Sequence, residues 1–436
     1  MATGDSTAAT SGGADYVPRK TSTRLIAIIA ALLVVTNVIT AVGVYYGTVP
    51  AKTAETITVI GPWTGSEYAK FLPVLDAFTN ATGIRVSYSS ARQEDLQLIL
   101  PVQFAAHRAP GDVVFMVSSF IKTQGPSGTV LDLTNVVDKS AYAGGALDPV
   151  TGTNGKIYGA AYTGKVKPGF WYRQSFFTAH SLTPPTTWAQ FQTLLSTIKS
   201  IPGIVNPIVS GDGVGWPLSD VVEHFIATFG GASMHRNLTA GTQKWNSTAV
   251  HDLFANRIVP LLAAGDFSQP LTWDSTAING WWNNQYALYF MGSWITGMNP
   301  PVTDPNDVGV FSLPAQSGIT PGIVFGPDFM FIPAYSTKID AAKQLLRFLA
   351  SKDGQTVQVK QGGHLATVLG VPASAYPAID AKVAQTLVGK DVLPDLDDTK
   401  GTTFQNNFWS QLKGLWTSPN PAADLNSILD AIQSKA

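Results

Sequence analysis

No cysteine occurs among the 436 residues, which excludes disulfides and thiolate metal sites and leaves packing to stabilise the fold. Charge is scarce as well: Asp, Glu, Lys and Arg make up 13% of the chain, against about 25% in an ordinary soluble domain. Thr and Ser take the place of surface Lys and Glu, which suits an exported protein in acid, where carboxylates lose their charge and ion pairs stop contributing. Formal net charge is −1 and basic residues are scattered, so nothing proposes a nucleic-acid partner. Catalytic signatures are missing too: no Gly-x-Ser-x-Gly elbow, no P-loop, no Gly-x-Gly-x-x-Gly and no His-Glu-x-x-His. The six histidines, His107, His180, His224, His235, His251 and His364, form no metal-ligand spacing. No cofactor and no metal is therefore expected. Enzyme chemistry keeps one foothold, a pair of carboxylates hydrolysing a glycoside, because spacing does not reveal such pairs.

The chain does have a run of twenty uncharged residues, Leu25 to Val44. As a helix it spans about 30 Å, the thickness of a bilayer's hydrocarbon core. Arg19, Lys20 and Arg24 precede it and Tyr45 and Tyr46 follow, so the positive-inside tendency puts residues 1–24 in the cytoplasm. That head is Gly/Ser/Thr/Ala-rich to about Pro18 and is expected to be disordered. Residues 25–46 read as a single-pass transmembrane anchor or uncleaved signal, and 47–52 as a linker. A cleaved signal of unusual length, or a pilin-like leader cut just before the run, accounts for the same residues. Either version exports the chain from about Thr53 onward. Asn80, Asn237 and Asn246 each begin an Asn-x-Ser/Thr sequon, which a Thr-rich chain also produces by chance.

Beyond the linker, Ile57–Ile60 is a compact apolar strand, and behind a Gly-rich turn Tyr68, Phe71, Leu72, Leu75 and Phe78 fall at helical spacing before a stop at Gly83. Pro73 lies within that helix, so a kink or a helix beginning near it is expected. A strand over Ile84–Tyr88, a helix over Glu94–His107 and a strand over Asp112–Met116 complete a β-α-β-α-β order. That order argues for a mainly parallel sheet covered by helices, with ligands at the carboxyl ends of the strands. Later strands are read over Lys156–Tyr162, Ala287–Met291, Val308–Phe311 and Phe329–Ile332. Helices are read over Trp188–Ser200, Ser219–Phe229 and Ala341–Ala350. No period of 20 to 50 residues repeats, which excludes a solenoid.

Eleven tryptophans are many for this length, and Trp63, Trp171, Trp216, Trp281, Trp282, Trp294 and Trp409 draw notice, several of them in expected loops beside glycine. A sugar ring stacks its face of C–H groups on an indole, and its hydroxyl rim needs carboxylates, amides and backbone groups. Core packing is the simpler reading of any single Trp; their loop placement as a group favours the other. Glu67 stands at the first turn of its helix, where it either complements the macrodipole or meets a ligand. Asp212 and Asp328 lie in Gly-rich turns, with the same two readings. Lys165 and Lys167 also read as ordinary solvated charges.

Several segments, in order, make the chain from Ile57 to the carboxyl terminus resemble the family 1 extracellular solute-binding proteins, the sugar-capturing components of ABC importers. They include Gly-Pro-Trp-Thr-Gly-Ser-Glu-Tyr (61–68), Ala-Phe-Thr-Asn-Ala-Thr-Gly-Ile (77–84), Ala-Pro-Gly-Asp-Val-Val-Phe (109–115), Asn-Gly-Lys-Ile-Tyr-Gly (154–159), Lys-Pro-Gly-Phe-Trp-Tyr (167–172), Gly-Trp-Pro-Leu-Ser-Asp (215–220) and Tyr-Phe-Met-Gly-Ser-Trp (289–294). The resemblance implies a two-lobed α/β fold of the type II periplasmic-binding kind, with the ligand held between lobes. One lobe would comprise residues 53–162 plus 315–350 and the other 163–314 plus 351–436, with linkers near Thr163, Phe311 and Ser351. By similarity to maltose-binding relatives, Trp63, Thr64, Ser66 and Glu67 would form the first ligand loop, and Ser118 or Ser119 the loop after the third strand, where an acidic residue is common in maltose binders. Lys165 or Lys167, of which Lys167 is taken, would follow the first crossover. Asp212, Trp216, Trp294 and Trp409 would face the cleft from the second lobe, and Gly326, Asp328 and Phe329 from the first lobe's return. The resemblance further implies a non-enzymatic monomer with a carbohydrate ligand, ABC permease subunits in the same membrane and, indirectly, a cytoplasmic ATPase. A cell-surface glycoside hydrolase and a surface-layer or adhesion protein are the rival classes.

Overall fold

In the computed structural model the described residues are 55–142, 146–298, 305–387 and 390–436. The expected head, anchor and linker (1–24, 25–46, 47–52) lie outside them. No helix among the described residues is long and apolar enough to cross a membrane. Among those residues the strands are β1 (Thr56–Gly61), β2 (Arg85–Ser90), β3 (Val113–Phe115), β4 (Ala160–Val166), β5 (Gly169–Arg173), β6 (Ile208–Asp212), β7 (Phe267–Thr272), β8 (Leu288–Met291), β9 (Val308–Phe311), β10 (Gly322–Phe331), β11 (Leu365–Ala366) and β12 (Asp391–Leu393).

The first βαβαβ run forms as its periodicity dictates. The helix Gly65–Thr82 buries Phe71, Val74, Leu75 and Phe78, residues three or four apart that share one face. It ends at Gly83, whose φ of 75° lets its N–H reach the Thr79 carbonyl. Pro73 lies inside this helix, which starts at Gly65 and not near the proline. The helix Gln93–Ala105 buries Leu96, Leu100 and Phe104, and carries Pro101 in its interior. Strands β2, β1 and β3 lie side by side and parallel, as connections through helices require.

Beyond β3 the sheet is mixed, in contrast to the mainly parallel sheet expected. Its order is β11-β4-β10-β3-β1-β2, with β12 on the free end of β10. Strand β10 runs antiparallel to β3 and β4. It returns from the second lobe, so it enters on the side where β1 and β3 end. The strand expected over Lys156–Tyr162 lies later, at β4. The second sheet has the order β7-β6-β8-β5-β9, with β6 parallel to β7 and β8, and β5 antiparallel to β8 and β9.

Three segments pass between the sheets: Lys167–Pro168 joins β4 to β5, residues 312–321 join β9 to β10, and residues 394–401 follow β12. The first crossing therefore comes just after Thr163, which still pairs with Ala366 in the first sheet. The crossing expected at Ser351 is absent there. The helix Lys352–Val359 and β11 stay with the first lobe, because Gln355 donates to the Tyr162 carbonyl (2.6 Å) and accepts from the Thr367 N–H (2.8 Å). Leu396 and the helices Thr402–Thr417 and Pro421–Gln433 return to the second lobe's core, the helices through Phe404, Phe408, Leu412, Leu425 and Leu429. A third apolar cluster, with Trp171, Trp281 and Tyr289, joins the second sheet to Val166, Ile323 and Leu365 of the first.

Phe170 on β5, an interior strand of the second sheet, is fully buried and packs against Phe191 (5.4 Å), Phe290 (5.4 Å) and Phe311 (5.9 Å). Phe170→Ala should destabilise the second lobe by about 3–5 kcal/mol. Urea unfolding should show the loss as a lower midpoint at unchanged slope.

Candidate functional site

A cleft of about 1820 Å³ opens between the lobes, lined by residues from both. On the first lobe's side the loop after β1 is clamped by Tyr88 of β2. The Trp63 N–H donates to the Tyr88 hydroxyl (2.9 Å), which donates in turn to the Trp63 carbonyl (3.0 Å). The Trp63 indole is thereby set among Phe71, Phe115 and Tyr162, with ring centroids 4.6, 4.7 and 5.9 Å away. Thr64 stands at the start of the next helix, where its carbonyl accepts from the Glu67 and Tyr68 N–H groups, and Ser66 and Glu67 occupy the first turn. Ser118 and Ser119 open the short helix after β3. Gly326, Asp328 and Phe329 come from β10, where its register against β4 shifts.

The second lobe supplies an aromatic wall. Trp216 begins the helix Trp216–Phe225, Trp273 follows β7 and Trp294 follows β8. Trp216 meets Trp273 (4.8 Å, 66°) and Trp294 (5.5 Å, 69°) edge to face, an arrangement the aromatic quadrupole favours. Trp294 folds back over its own chain at Gly292, where a Cβ would come within 1.8 Å of the ring. Trp409 packs against Gly215, whose φ is 103°. Its Nε1 donates to Asp397 and the residue is largely buried.

The two walls meet at Lys165. Its ammonium lies 5.7 Å from the centre of the Trp63 ring and 5.5 Å from that of Trp294, within cation–π range of an indole from each lobe. It is also 3.5 Å from Asp328 Oδ2 and 4.0 Å from Glu67 Oε1. Burial raises the pKa of both Glu67 and Asp328, and Lys165 opposes the rise. His364 accompanies them, 2.7 Å from Thr163 Oγ1, and burial followed by the charge of Lys165 holds its imidazole neutral. Acceptors, an ammonium donor and two largely buried indoles, Trp63 2% and Trp294 9% exposed, thus share one small volume.

Of the residues singled out from sequence, Trp63, Thr64, Ser66, Glu67, Ser118, Ser119, Lys167, Trp216, Trp294, Gly326, Asp328, Phe329 and Trp409 all line the cleft. Asp212 does not: it accepts from the Gly215 N–H (3.2 Å) and pairs with Lys413 (2.9 Å), the turn-capping alternative. Lys167 lines the cleft from within a cluster of carboxylates, whereas Lys165 reaches the indoles. Trp171 and Trp281 are core residues, and Trp282 lies under the Arg173 guanidinium (5.2 Å). Trp273 and Asp274 were missed. They follow a strand, Phe267–Thr272, that carries Pro270 and does not alternate, so no periodic signal marked its carboxyl end.

The family model for bacterial extracellular solute-binding proteins matches residues 61–356, and the chain belongs to that family. An uncharacterized ABC transporter extracellular-binding protein of Pyrococcus horikoshii is 47% identical over 87% of this chain and 89% of its own length. The osmoprotective compounds-binding protein GgtB of Synechocystis is 24% identical over 81% and 87%. Among solved structures, the bacterial solute receptor AcbH, described as exclusively preferring β-D-galactopyranose, superimposes with a TM-score of 0.78 at 18% identity, covering 87% of this chain and 98% of that one. At that identity the likeness is one of fold.

Gly292→Ala should displace the Trp294 ring and break its contact with Trp216. Tryptophan emission should shift to the red while far-ultraviolet circular dichroism stays unchanged.

Proposed function

We propose that this chain is the carbohydrate receptor of an ABC importer, a non-enzymatic protein that takes a mono- or oligosaccharide between its lobes and delivers it to permease subunits powered by a cytoplasmic ATPase. The observation that carries this reading is the meeting of Trp63 and Trp294, from opposite lobes, on either side of Lys165, with Glu67 and Asp328 beside it. A pyranose presents apolar faces and a hydroxyl rim, and the floor of this cleft offers a partner for each. Trp216, Trp273 and Trp409 extend the aromatic surface, and Ser66, Ser118 and Ser119 add neutral hydrogen-bonding groups. The cleft exceeds the volume of about 300–1,000 Å³ usual for small-ligand sites, which leaves room for more than one ring.

Neighbours in fold support the carbohydrate class: besides AcbH, a chitin oligosaccharide binding protein superimposes with a TM-score of 0.71 at 19% identity over 87% of this chain. Binding works by hinged closure, because only a ligand touching both lobes gains the full set of contacts. Residues 25–46 anchor the receptor as a single-pass protein with its binding lobes outside the cell. A monomer held at the membrane surface meets the permease at raised effective concentration.

A thermal-shift screen of mono-, di- and oligosaccharides should find at least one that raises the melting temperature, since ligand binding stabilises by mass action. With that sugar, Trp294→Ala should weaken binding more than tenfold, about 1.4 kcal/mol or more, and Glu67→Gln should weaken it through lost hydroxyl contacts. Calorimetry giving wild-type affinity for both variants would remove this floor from the site. Cleavage of the bound glycoside, lost on mutating two cleft carboxylates, would replace the receptor by a hydrolase.

A further inference from the structure

In the same cleft, five carboxylates crowd around one ammonium where two crossovers pass. Lys167, on the first crossover, bonds Asp220 and Asp395 and lies 3.5 Å from Glu223 Oε2. Asp397 and Asp398 follow Asp395 on the third crossover. Glu223 Oε1 also meets His235 Nε2 (2.6 Å) and the Leu396 N–H (2.6 Å). Asp397 accepts from Trp409 and Ser219 (3.3 Å), and Asp398 from Gln405 Nε2 (2.7 Å).

Lys167 alone does not balance five negative charges, and two further observations show what makes up the difference. Carboxylate oxygens of Asp395, Asp397 and Asp398 lie within 4.8 Å of one another, a crowding of like charges that favours binding a proton. Asp220 Oδ2 is buried with no hydrogen-bond partner, on a side chain 2% exposed, a costly arrangement for an ionised group.

The cluster also touches the closure of the cleft. Gln405, bonded to Asp398, accepts from Gln97 Nε2 of the first lobe (3.4 Å), and Thr402 donates to Gln97 Oε1. The helix Leu396–Lys400 packs against Ser118–Gln124 of the first lobe. We propose that the cluster is a proton-binding site that couples cleft closure to the pH outside the cell. Protonated, it holds residues 394–401 against the Trp216–Phe225 helix and lets Gln405 reach Gln97. Ionised, it drives them apart and opens the cleft.

The charges fit this division. Burial, opposed by Lys167, raises the Asp220 pKa to about 8. Burial, joined by the charge of Asp395, raises Asp397 and Asp398 well above the carboxylate range. Asp395 is buried too, but Lys167 pulls it down to about 2, so it remains the ionised partner. Groups with raised pKa hold protons in the closed form that they release on exposure. Closure therefore weakens as pH rises from about 4 toward 8; Asp395 acts oppositely, only as pH falls toward 2. Other charged groups near the cluster are Lys400, whose ammonium lies 5.0 Å from the Phe404 ring, and Arg92, Glu94 and Lys122 across the cleft.

The inference rests on the closing of two lobes, not on which sugar binds, and its test needs no ligand. Because the chain has no cysteine, Lys139→Cys on the first lobe and Gln192→Cys on the second, both exposed, accept a donor–acceptor dye pair in the full-length protein. Energy transfer should stay high in acid and fall between pH about 4 and 8. Asp397→Asn and Asp398→Asn, each unable to ionise, should move that fall upward by about one pH unit or more, or abolish it. Transfer that ignores pH in the unsubstituted pair, or a wild-type profile in both Asn variants, would overturn the proposal. So would calcium restoring high transfer at neutral pH and a chelator reversing it, which would make the cluster a cation site. Absence of saccharide binding with the pH transition intact would count against the carbohydrate reading alone.

Discussion

Two residues, Lys167 and Pro168, are all that separates the end of one sheet from the start of the other, and the architecture of the cleft depends on that short crossing. Gly169 makes it possible: its φ is 135°, and a Cβ there would come within 2.1 Å of the Phe311 carbonyl oxygen. The Val166 N–H donates to Ser293 Oγ (3.2 Å), and the same hydroxyl donates to the Gly363 carbonyl (3.3 Å). The loop that carries Trp294 on the second lobe is therefore tied to the last residues of β4, and Trp294 comes to face Trp63 across Lys165. A longer, looser connection would leave these indoles on independent bodies.

The crossing also gives two neighbouring lysines opposite surroundings. Lys165 still belongs to β4 and projects among indoles and two carboxyl groups of the first lobe. Lys167 lies past the strand, where the chain has turned, and meets the acids of the second lobe and the third crossover. Both are cations taken partly from water, which is tolerable only where negative charge accompanies them. Their carboxyl partners are mostly buried and raised in pKa, so a chain with few surface charges concentrates its electrostatics in and beside the cleft.

Local pattern made much of the first lobe legible. Apolar spacing of three and four places the helices after β1 and β2, Gly83 stops the first of them, and loops follow the carboxyl ends of β1 and β3. The return of the chain was not legible. Strands β11 and β12 have two and three residues, too short to carry a period, and Gln355, Thr367 and Tyr162 decide that residues after Ser351 stay with the first lobe. A glycine-rich turn looks the same around Asp212 and Asp328; the Gly215 N–H and Lys413, the latter from a helix far along the chain, engage the former outside the cleft lining.

From sequence alone came the exclusion of disulfides and thiolate metals, the α/β order, the two-lobed expectation carried by its family resemblance, and a minority of the side chains that line the cleft. Those follow from composition, from short-range periodicity and from matching segments, all of which lie within a few residues of each other. Which lysine meets the indoles, which tryptophans are core, where the third crossing falls and why five acids share one ammonium were decided by tertiary structure. Each is a meeting of side chains brought together from separate segments, and nothing in local spacing records which of them burial will bring into contact.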